Sequence, residues 1–542
     1  MTIKALTRLN DRTVTVHARS TVIQGKRGRA FLGFYLEGLC YMSAQAQTSI
    51  QKVMPPASLK QGYDSVTGAG RSTAIVGEAD EIGGTSTLQV TVATTIHELT
   101  EALGIDQSLS VSYGPIASGD QKLRFVRNLE ITSSSISIVV YSLHLSRIQT
   151  LKNFSLDPHV QVPTDPNSIT KFFNAYGDSF ISSRTLGGEY YAVFTFFAND
   201  MQEQIKLKAD LQASGIYNGV SANAEFQVNF SRVTRTATTR TNFVQSISGI
   251  ENPVLPSPDE IVEFATKFTS LDQDMEAVID FSVTGYENVL GLSAMGALAA
   301  NRIYFIGDES SPGLGGKLGE LIGLRNKIDS LLQTYQVYGG YVDNRLTAVR
   351  TEVECDIGAV NNQIYEWEKN PVQNFPALAF NSLKNGSPSI SVSVGTFGPY
   401  GGNGGNPFDD VPDPLGFIAS RTHLISVGLR GGEYVDQLLA TYLRENNSWN
   451  YKHGGNGGGY KGSITIAPNS PVTAITGRAG RYVDHLTIST SSSTLDGGGD
   501  GGNPFSTKIP AGNFLLGFRG RSGDALDQII IVYAGFAPAT WK

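Results

Sequence analysis

Gly401-Gly-Asn-Gly-Gly405 recurs as Gly454-Gly-Asn-Gly-Gly458 and as Gly497-Gly-Gly-Asp-Gly-Gly502. Gly-Asn-Pro-Phe stands identically at 405–408 and 502–505. A second element runs Arg430-Gly-Gly-Glu-Tyr-Val-Asp436, Arg478-Ala-Gly-Arg-Tyr-Val-Asp484 and Arg521-Ser-Gly-Asp-Ala-Leu-Asp527, each time followed by an alternating strand. No single copy can bury its apolar face alone, so three copies imply a pseudo-threefold β structure around one shared core. Gly339–Asp343 has the same Gly-x-x-x-Asp spacing between two helices, and no role is assigned to it. It is threefold repetition beside a glycine loop that makes the pattern specific.

Over roughly the last 150 residues this arrangement resembles the jacalin-related lectins, which fold as a β-prism. In that family an Asp carboxylate accepts hydrogen bonds from two sugar hydroxyls at charge-assisted strength, and glycine lets backbone N–H groups approach the ring. The resemblance pairs the first glycine loop with the last Gly-x-x-x-Asp, and each later loop with the preceding one. It therefore implies three carbohydrate sites: Gly402 with Asp524, Ala525, Leu526 and Asp527; Gly455 with Glu433, Tyr434, Val435 and Asp436; Gly498 with Arg481, Tyr482, Val483 and Asp484. Phe408, Trp449, Tyr451 and Phe505 lie beside the loops, where they either cover a sugar face or pack. No metal and no cofactor are implied.

The chain has 542 residues, too many for one ordinary core. Charged residues make up 17% and glycines number 60, the composition of a turn-rich, β-rich globular protein. A net charge of −7 argues against nucleic acid as a partner. Cys40 and Cys355 allow at most one bridge, with two free thiols as the alternative. No apolar leader stands at the N-terminus, and no run of 18 apolar residues is present to cross a bilayer as a helix.

Upstream of the repeats, Tyr176-Gly-Asp-Ser-Phe180 is followed by Gly187-Gly188 and then by Glu189–Phe197 (EYYAVFTFF). An aromatic–glycine turn feeding a strand is expected, with the glycines at its start admitting a close neighbour. Ile136–Leu145 reads as a buried strand. In Ile205–Ser214, Ile205, Leu207, Ala209, Leu211 and Ala213 alternate with polar residues. In Ala222–Ser231, Ala222, Ala224, Phe226, Val228 and Phe230 do the same. Both fit a period of 2, and ten residues is about the length of a tilted membrane-crossing strand. The alternative is a half-buried hairpin of a soluble sheet.

The spacing of Tyr176, Gly177, Phe180, Gly187 and Gly188 resembles the signature of the membrane-attack-complex/perforin (MACPF) family. Asp178 and Ser179 depart from it, standing where the family has Thr and His. The resemblance implies that two segments flanking the central strands, here about 95–132 and 199–238, pack as helices in a soluble form and refold into transmembrane hairpins.

Gly313–Lys317 fails the phosphate-loop pattern, because Ser311 stands at the first glycine and Leu318 at the Ser/Thr, and it reads as a loop. Two packing helices follow, carrying Ile328, Leu331, Leu332 and Tyr335, then Leu346, Val349, Val353, Val360, Ile364 and Trp367. Pro371–Pro388 reads as a linker. His97-Glu98 lacks the second histidine of a zinc site, since Glu101 stands there, and no catalytic carboxylate pair is visible, so a non-enzyme is expected.

The domains expected are an α+β MACPF-like domain at 1–370 (a bent antiparallel sheet flanked by helical clusters), a linker at 371–386 and an all-β prism of three Greek-key repeats at 387–542. Together the resemblances imply a bacterial pore-forming toxin, released as a soluble monomer. Its partners would be cell-surface glycans, target-membrane lipid and a homo-oligomeric ring. The rival reading is a non-lytic glycan-binding adhesion protein.

Overall fold

The computed structural model describes residues 58–93, 135–197 and 240–542 (except 252, 259, 272–275, 309 and 445–446), the strands Leu6–Leu9 and Arg12–Thr15, and scattered helical residues within 98–103 and 207–232. Two compact units are present, Met1–Ser49 and Ile50–Lys542. In the first, β1 (Leu6–Leu9) and β2 (Arg12–Thr15) pair antiparallel.

The second unit opens with an eight-stranded sheet. Its spine is two long antiparallel strands, β7 (Ser135–Leu156) and β8 (Ser179–Phe197). Against β7 lie β5 (Ile75–Gly83) and β6 (Ser86–Ala93); against β8 lie β9 (Arg240–Ser248), β10 (Ala277–Gly285) and β3 (Gly62–Asp64), which carries β4 (Ala69–Arg71). Aromatic and β-branched residues fill both faces, as a doubly covered sheet requires. Ile136, Ile138, Val140, Tyr190, Ala192, Phe194 and Phe196 form one face, buried with Leu211, Phe230 and the apolar stripe of a helix at Ile261–Phe268. Val139, Tyr141, Tyr191 and Val193 form the other, buried with Leu99, Ala102 and Leu103.

Three expectations change here. The strand begins at Ser179, and Gly187 and Gly188 lie within it, opposite Leu145 and His144. The close approach is nonetheless present: a Cβ on Gly187 would stand 2.0 Å from the His144 carbonyl oxygen. The described residues of the alternating segments are also not strand in this conformation. Leu207, Ala209 and Leu211, and likewise Val228 and Phe230, are helical. Phe230 is fully buried while Val228 is 67% exposed, as two positions two residues apart on a helix can be and two on one strand face would not. Ile205, Ala213, Ala222, Ala224 and Phe226 lie outside the described residues. Finally, Gly313–Lys317 is the first turn of a helix rather than a loop.

The helices upstream of residue 370 are, in chain order, α1 (Pro166–Tyr176) between β7 and β8, α2 (Ile261–Phe268) between β9 and β10, and then α3 (Glu287–Leu290), α4 (Leu292–Ile306), α5 (Gly313–Val337) and α6 (Asn344–Lys369) after β10. Leu318, Leu321, Ile328, Tyr335, Leu346, Val353, Val360 and Trp367 pack α5 on α6 with Phe173 and Phe305. Cys355, on α6, is disulfide-bonded. Asp343, the end of the unassigned Gly-x-x-x-Asp, caps α6 by accepting from the Arg345 and Leu346 amides.

The stretch expected to be a linker is packed. Phe375, Leu378, Phe380 and Leu383 lie against the helical core, and the Asn301 amide bonds the Pro371 and Gln373 carbonyls. Beyond it come three four-stranded antiparallel sheets. The first joins β11 (Pro388–Gly401) and β12 (Asn406–Asp409) to β21 (Asn513–Ser522) and β22 (Leu526–Trp541), so both ends of the domain share one sheet. The second holds β13 (His423–Gly431), β14 (Val435–Arg444), β15 (Asn447–Gly454) and β16 (Gly459–Thr465). The third holds β17 (Val472–Ala479), β18 (Val483–Thr490), β19 (Thr494–Gly498) and β20 (Asn503–Lys508). Leu429, Leu438, Ile475, Leu486, Phe518 and Ile529 come from all three sheets and are fully buried in one shared core.

This prism is docked on α5 and α6. Tyr338 stacks on Phe514 at 4.5 Å and its hydroxyl donates to the Phe417 and Thr422 carbonyls. Arg421 donates to the Ser330 hydroxyl and carbonyl, and Asp343 accepts the Ala539 amide at 2.7 Å. The strands of β11 and β22 run from this junction at Pro388 and Trp541 to the glycine loop at Gly401 and Gln528, so the three loops stand at the far end of the prism.

Candidate carbohydrate-binding site

Each glycine loop closes on the carboxylate at the end of a Gly-x-x-x-Asp. A Cβ on Gly404 would lie 2.2 Å from one Asp527 oxygen, and one on Gly405 would lie 2.4 Å from the other. The same holds for Gly457 and Gly458 on Asp436, at 2.2 and 2.3 Å, and for Gly501 and Gly502 on Asp484, at 2.5 and 2.4 Å. No side chain fits where the carboxylate sits, and that is the physical reason the loop is glycine. The pairing of loops with carboxylates is the one the resemblance implied, including the first loop with the last motif: the Gly402 amide donates to the Asp527 carbonyl at 2.9 Å.

The third loop differs in register. Gly401, Gly454 and Gly498 share a left-handed φ of 109°, 108° and 115°. The residue that follows is therefore Gly402, Gly455 and Gly499, and the Gly499 amide donates to the Asp484 carbonyl at 2.8 Å. Gly499, not the expected Gly498, is the counterpart of Gly402 and Gly455. The sequence holds one extra glycine at 497–499, and counting from the first glycine of the run displaces the alignment by one.

Three residues seen in the repeat, but given no role, prove to hold the loops. The Arg521 guanidinium donates to the Gly404 and Gly405 carbonyls at 2.8 and 2.7 Å. Arg478 does the same to Gly501 and Gly502, both at 2.8 Å, and Arg430 to Asn456, Gly457 and Gly458. A planar fork suits adjacent carbonyls, and the recurrence of Arg at one offset was the available signal. Gln437 and Gln528 add bonds to the Gly455 and Gly402 carbonyls; His485 takes that place in the third copy and meets Asp496 instead.

Two of the carboxylates are nearly enclosed, Asp484 at 6% and Asp527 at 5% exposure, whereas Asp436 is half-buried. One oxygen of Asp436 and one of Asp484 are buried without any hydrogen-bond donor. A buried charged acceptor left unpaired is costly. Phe408 stacks on His453 at 3.6 Å and Phe505 on Tyr400 at 4.0 Å, while Trp449 lies 6.0 Å from Tyr442, so these rings pack against protein. Tyr451, 39% exposed, keeps an open face.

The profile of the jacalin-like lectin domain matches residues 397–532. Horcolin of Hordeum vulgare is 34% identical over 141 residues, 24% of this chain and 91% of the barley protein. The chain belongs to the jacalin-like lectin family. Myrosinase-binding protein 2 of Arabidopsis thaliana is 29% identical over 158 residues, 28% of this chain and 22% of that protein. Among solved structures, Malaysian banana lectin is 26% identical with a TM-score of 0.23, covering 27% of this chain and 99% of its own. AcmJRL, a mannose-binding jacalin-related lectin from Ananas comosus, is 27% identical with a TM-score of 0.23, again covering 27% and 99%. None of these relatives or structures covers more than 28% of this chain.

The upstream α/β region brings Gly177, Asp178 and Phe180 together at a buried junction, while Gly187 and Gly188 stand apart from it within β8. A Cβ on Gly177 would lie 2.1 Å from the Tyr63 carbonyl, and one on Gly62 lies equally close to that of Tyr176, so two turns interlock. Phe180 is fully buried between Phe154 and Tyr286. Asp178 is also fully buried: one oxygen accepts the Ser65 amide at 2.7 Å, and the other has no hydrogen-bond partner and stands 3.6 Å from Arg302. Burial, and then the neighbouring Asp64, push the Asp178 carboxyl up to about 7 against the pull of Arg302. Asp64 is held by Arg71 and the Trp367 indole, and Arg302 is shared with Glu287.

Proposed function

We propose that this chain is a glycan-directed pore-forming protein: a MACPF-like α/β domain delivered to glycosylated membranes by a jacalin-like lectin. Glycan binding rests on the three carboxylates enclosed by arginine-clamped glycine loops at one end of the prism. Hydroxyl donors of a neutral hexose complement acceptors that the fold leaves unpaired. Several weak sites on one rigid end gain avidity on a surface dense in glycans.

Membrane insertion rests on one observation. The two segments that alternate with a strand's period, or lie at the matching place before the signature, reach opposite faces of the central sheet through helical residues, Leu99 and Ala102 on one side and Leu211 and Phe230 on the other. A sequence written for a strand yet held as a helix has an alternative conformation available. Closing such hairpins from several subunits into a barrel leaves no unpaired edge in lipid. The partners are then surface glycans, membrane lipid and further copies of this chain. The protein is not an enzyme, and it acts outside the cell that makes it, passing from soluble monomer to inserted ring.

Dye release from vesicles bearing an α-mannosyl glycolipid tests both halves. Release that needs the glycolipid supports the reading. Binding without release replaces it with the adhesion protein, and the absence of both removes the lectin's role.

A further inference from the structure

Asn403-Gly404 and Asn456-Gly457 stand in the middle of the first two glycine loops, and both asparagines are exposed. In an Asn-Gly pair the side-chain carboxamide is open to attack by the next backbone nitrogen, because no side chain shields that nitrogen and glycine reaches the backbone angles required. Arg521 holds the carbonyls of Gly404 and Gly405, and Arg430 those of Asn456, Gly457 and Gly458. The Gly404 and Gly457 amides themselves have no acceptor among the described residues. Gln528 donates to the Asn403 Oδ1 at 3.3 Å and Gln437 to the Asn456 Oδ1 at 3.5 Å, drawing electrons from the carbon open to attack. The remaining Asn-Gly pair among the described residues, Asn385-Gly386, is arranged in the opposite way. Its Gly386 amide donates to the Leu383 carbonyl at 3.3 Å, and the Asn385 Nδ2 donates to the Ser382 carbonyl at 3.1 Å. A Cβ on Gly386 would lie 2.2 Å from the Lys542 carbonyl oxygen, so this turn is packed. In the third glycine loop the residue matching Asn403 and Asn456 is Asp500.

Resting on the carbohydrate-binding reading above, we propose that Asn403 and Asn456 are sites of spontaneous deamidation, and that isoaspartate formed there dismantles the Asp527 and Asp436 sites with age while the Asp484 site persists. The reaction needs only water. The Gly404 nitrogen gives up its proton and bonds to the Asn403 Cγ, the bond from Cγ to Nδ2 breaks, and Nδ2 leaves as ammonia with that proton. Water then opens the cyclic imide at either carbonyl. Opening at Cγ yields aspartate; opening at the main-chain carbon yields isoaspartate, in which the chain runs through Cβ and Cγ. Gly457 acts on Asn456 in the same way. Aspartate fits, since Asp500 occupies that position in the third loop. Isoaspartate adds a carbon to the main chain of a loop that has no slack, because Gly404 and Gly405 already press on the Asp527 carboxylate, and Gly457 and Gly458 on that of Asp436. The carbonyls gripped by the Arg521 and Arg430 forks are displaced, so clamp and enclosure are lost together. Asp500 has no ammonia to release, and a carboxylate is a far poorer electrophile than a carboxamide, so the third loop outlasts the other two.

The test holds the full chain in mildly alkaline buffer, which speeds loss of the amide proton, and samples it over weeks by peptide mapping and by calorimetric titration with methyl α-mannoside. Isoaspartate should accumulate at positions 403 and 456 while Asn385 stays asparagine. The number of sugar sites per chain should fall in proportion to that isoaspartate, with the Asp484 site retained. Treating the aged chain with protein-isoaspartate methyltransferase and S-adenosylmethionine, which returns isoaspartate to aspartate, should restore the lost sites. Survival of Asn403 and Asn456 for as long as Asn385 overturns the proposal, whatever the titration shows. Isoaspartate at both positions with an unchanged number of sites, or lost sites that repair does not restore, breaks the link between modification and binding and overturns it too. A fresh chain that binds no mannoside contradicts the carbohydrate reading instead; the loss of sites falls with it, while the peptide map still decides the modification.

Discussion

Asp527 in the lectin and Asp178 in the upstream domain are almost equally inaccessible, at 5% and 0% exposure, but they are built into the fold in opposite ways. Asp527 is wrapped by a loop of backbone whose carbonyls are neutralised by Arg521. It stands at the end of the prism, where a ligand can reach past glycine. Asp178 is locked in a junction of four acids, Asp64, Asp178, Glu287 and Glu368, against two arginines, Arg71 and Arg302. The lectin sets its carboxylates in glycine loops at the end of the prism, whereas the upstream domain closes around an excess of negative charge. Difference in charge balance, more than in burial, separates a binding site from a structural latch.

Arg302→Ala should break that contrast most forcefully. It leaves Asp178 and Glu287 buried beside Asp64 without their cation, and losing one partner of a buried network typically costs about 3–5 kcal/mol. Denaturant unfolding should show the loss, while glycan binding by the docked prism stays at its original affinity.

The pH dependence should be smaller and of definite sign. Asp178 is raised from 3.8 to about 7 in the fold, so across that range the folded chain keeps a proton that the unfolded chain has released. Its contribution to stability is therefore full in acid, falls as pH rises through that window at no more than about 1.4 kcal/mol per unit, and is lost above it. Asp178→Asn should flatten the fall between pH 5 and pH 7 in thermal melts. An equally steep slope in that variant assigns the effect to other groups.

Within the lectin, Gly457→Ala forces a methyl group onto the Asp436 carboxylate and should cost about 1–3 kcal/mol in stability. It should also remove one bound sugar from the calorimetric stoichiometry. Arg430→Lys should do least. A point charge cannot fork across adjacent carbonyls, so a loss of about 1 kcal/mol in monosaccharide affinity is expected at that site alone.

The prism was legible because its determinants are local and repeated. A glycine loop, an Arg and a Gly-x-x-x-Asp recur three times, so each copy checks the others. The misplacement of Gly498 arose where the third copy carries an extra glycine and that check failed. The upstream junction offered no such redundancy. The Trp367 indole reaches Asp64 across 303 positions and the Ser65 amide reaches Asp178 across 113, contacts for which no periodicity or spacing exists in the chain. Gly313–Lys317 was misread because glycine content suggested a loop, whereas packing of Leu314 and Leu318 in the helical core outweighs the low helix propensity of glycine. The stretch 371–386 looked like a linker because proline and asparagine punctuate it, yet its phenylalanines and leucines are anchored on the helices. At Leu207, Ala209, Leu211, Val228 and Phe230 the pattern and the conformation disagree outright, and that disagreement is the basis for the proposed refolding.

An environment-sensitive dye placed singly at positions 225, 226, 227 and 228 measures this refolding directly. Read in the soluble chain and after addition of glycolipid vesicles, the account predicts a shift to an apolar setting at Phe226 and Val228, and a continued aqueous setting at Glu225 and Gln227, appearing only with membrane. Lipid-facing and lumen-facing positions alternate along a barrel strand, and a helix cannot reproduce that pattern over four consecutive residues. The same change at all four positions, or none at any, would contradict membrane insertion by this segment and leave a lectin that binds glycans without perforating.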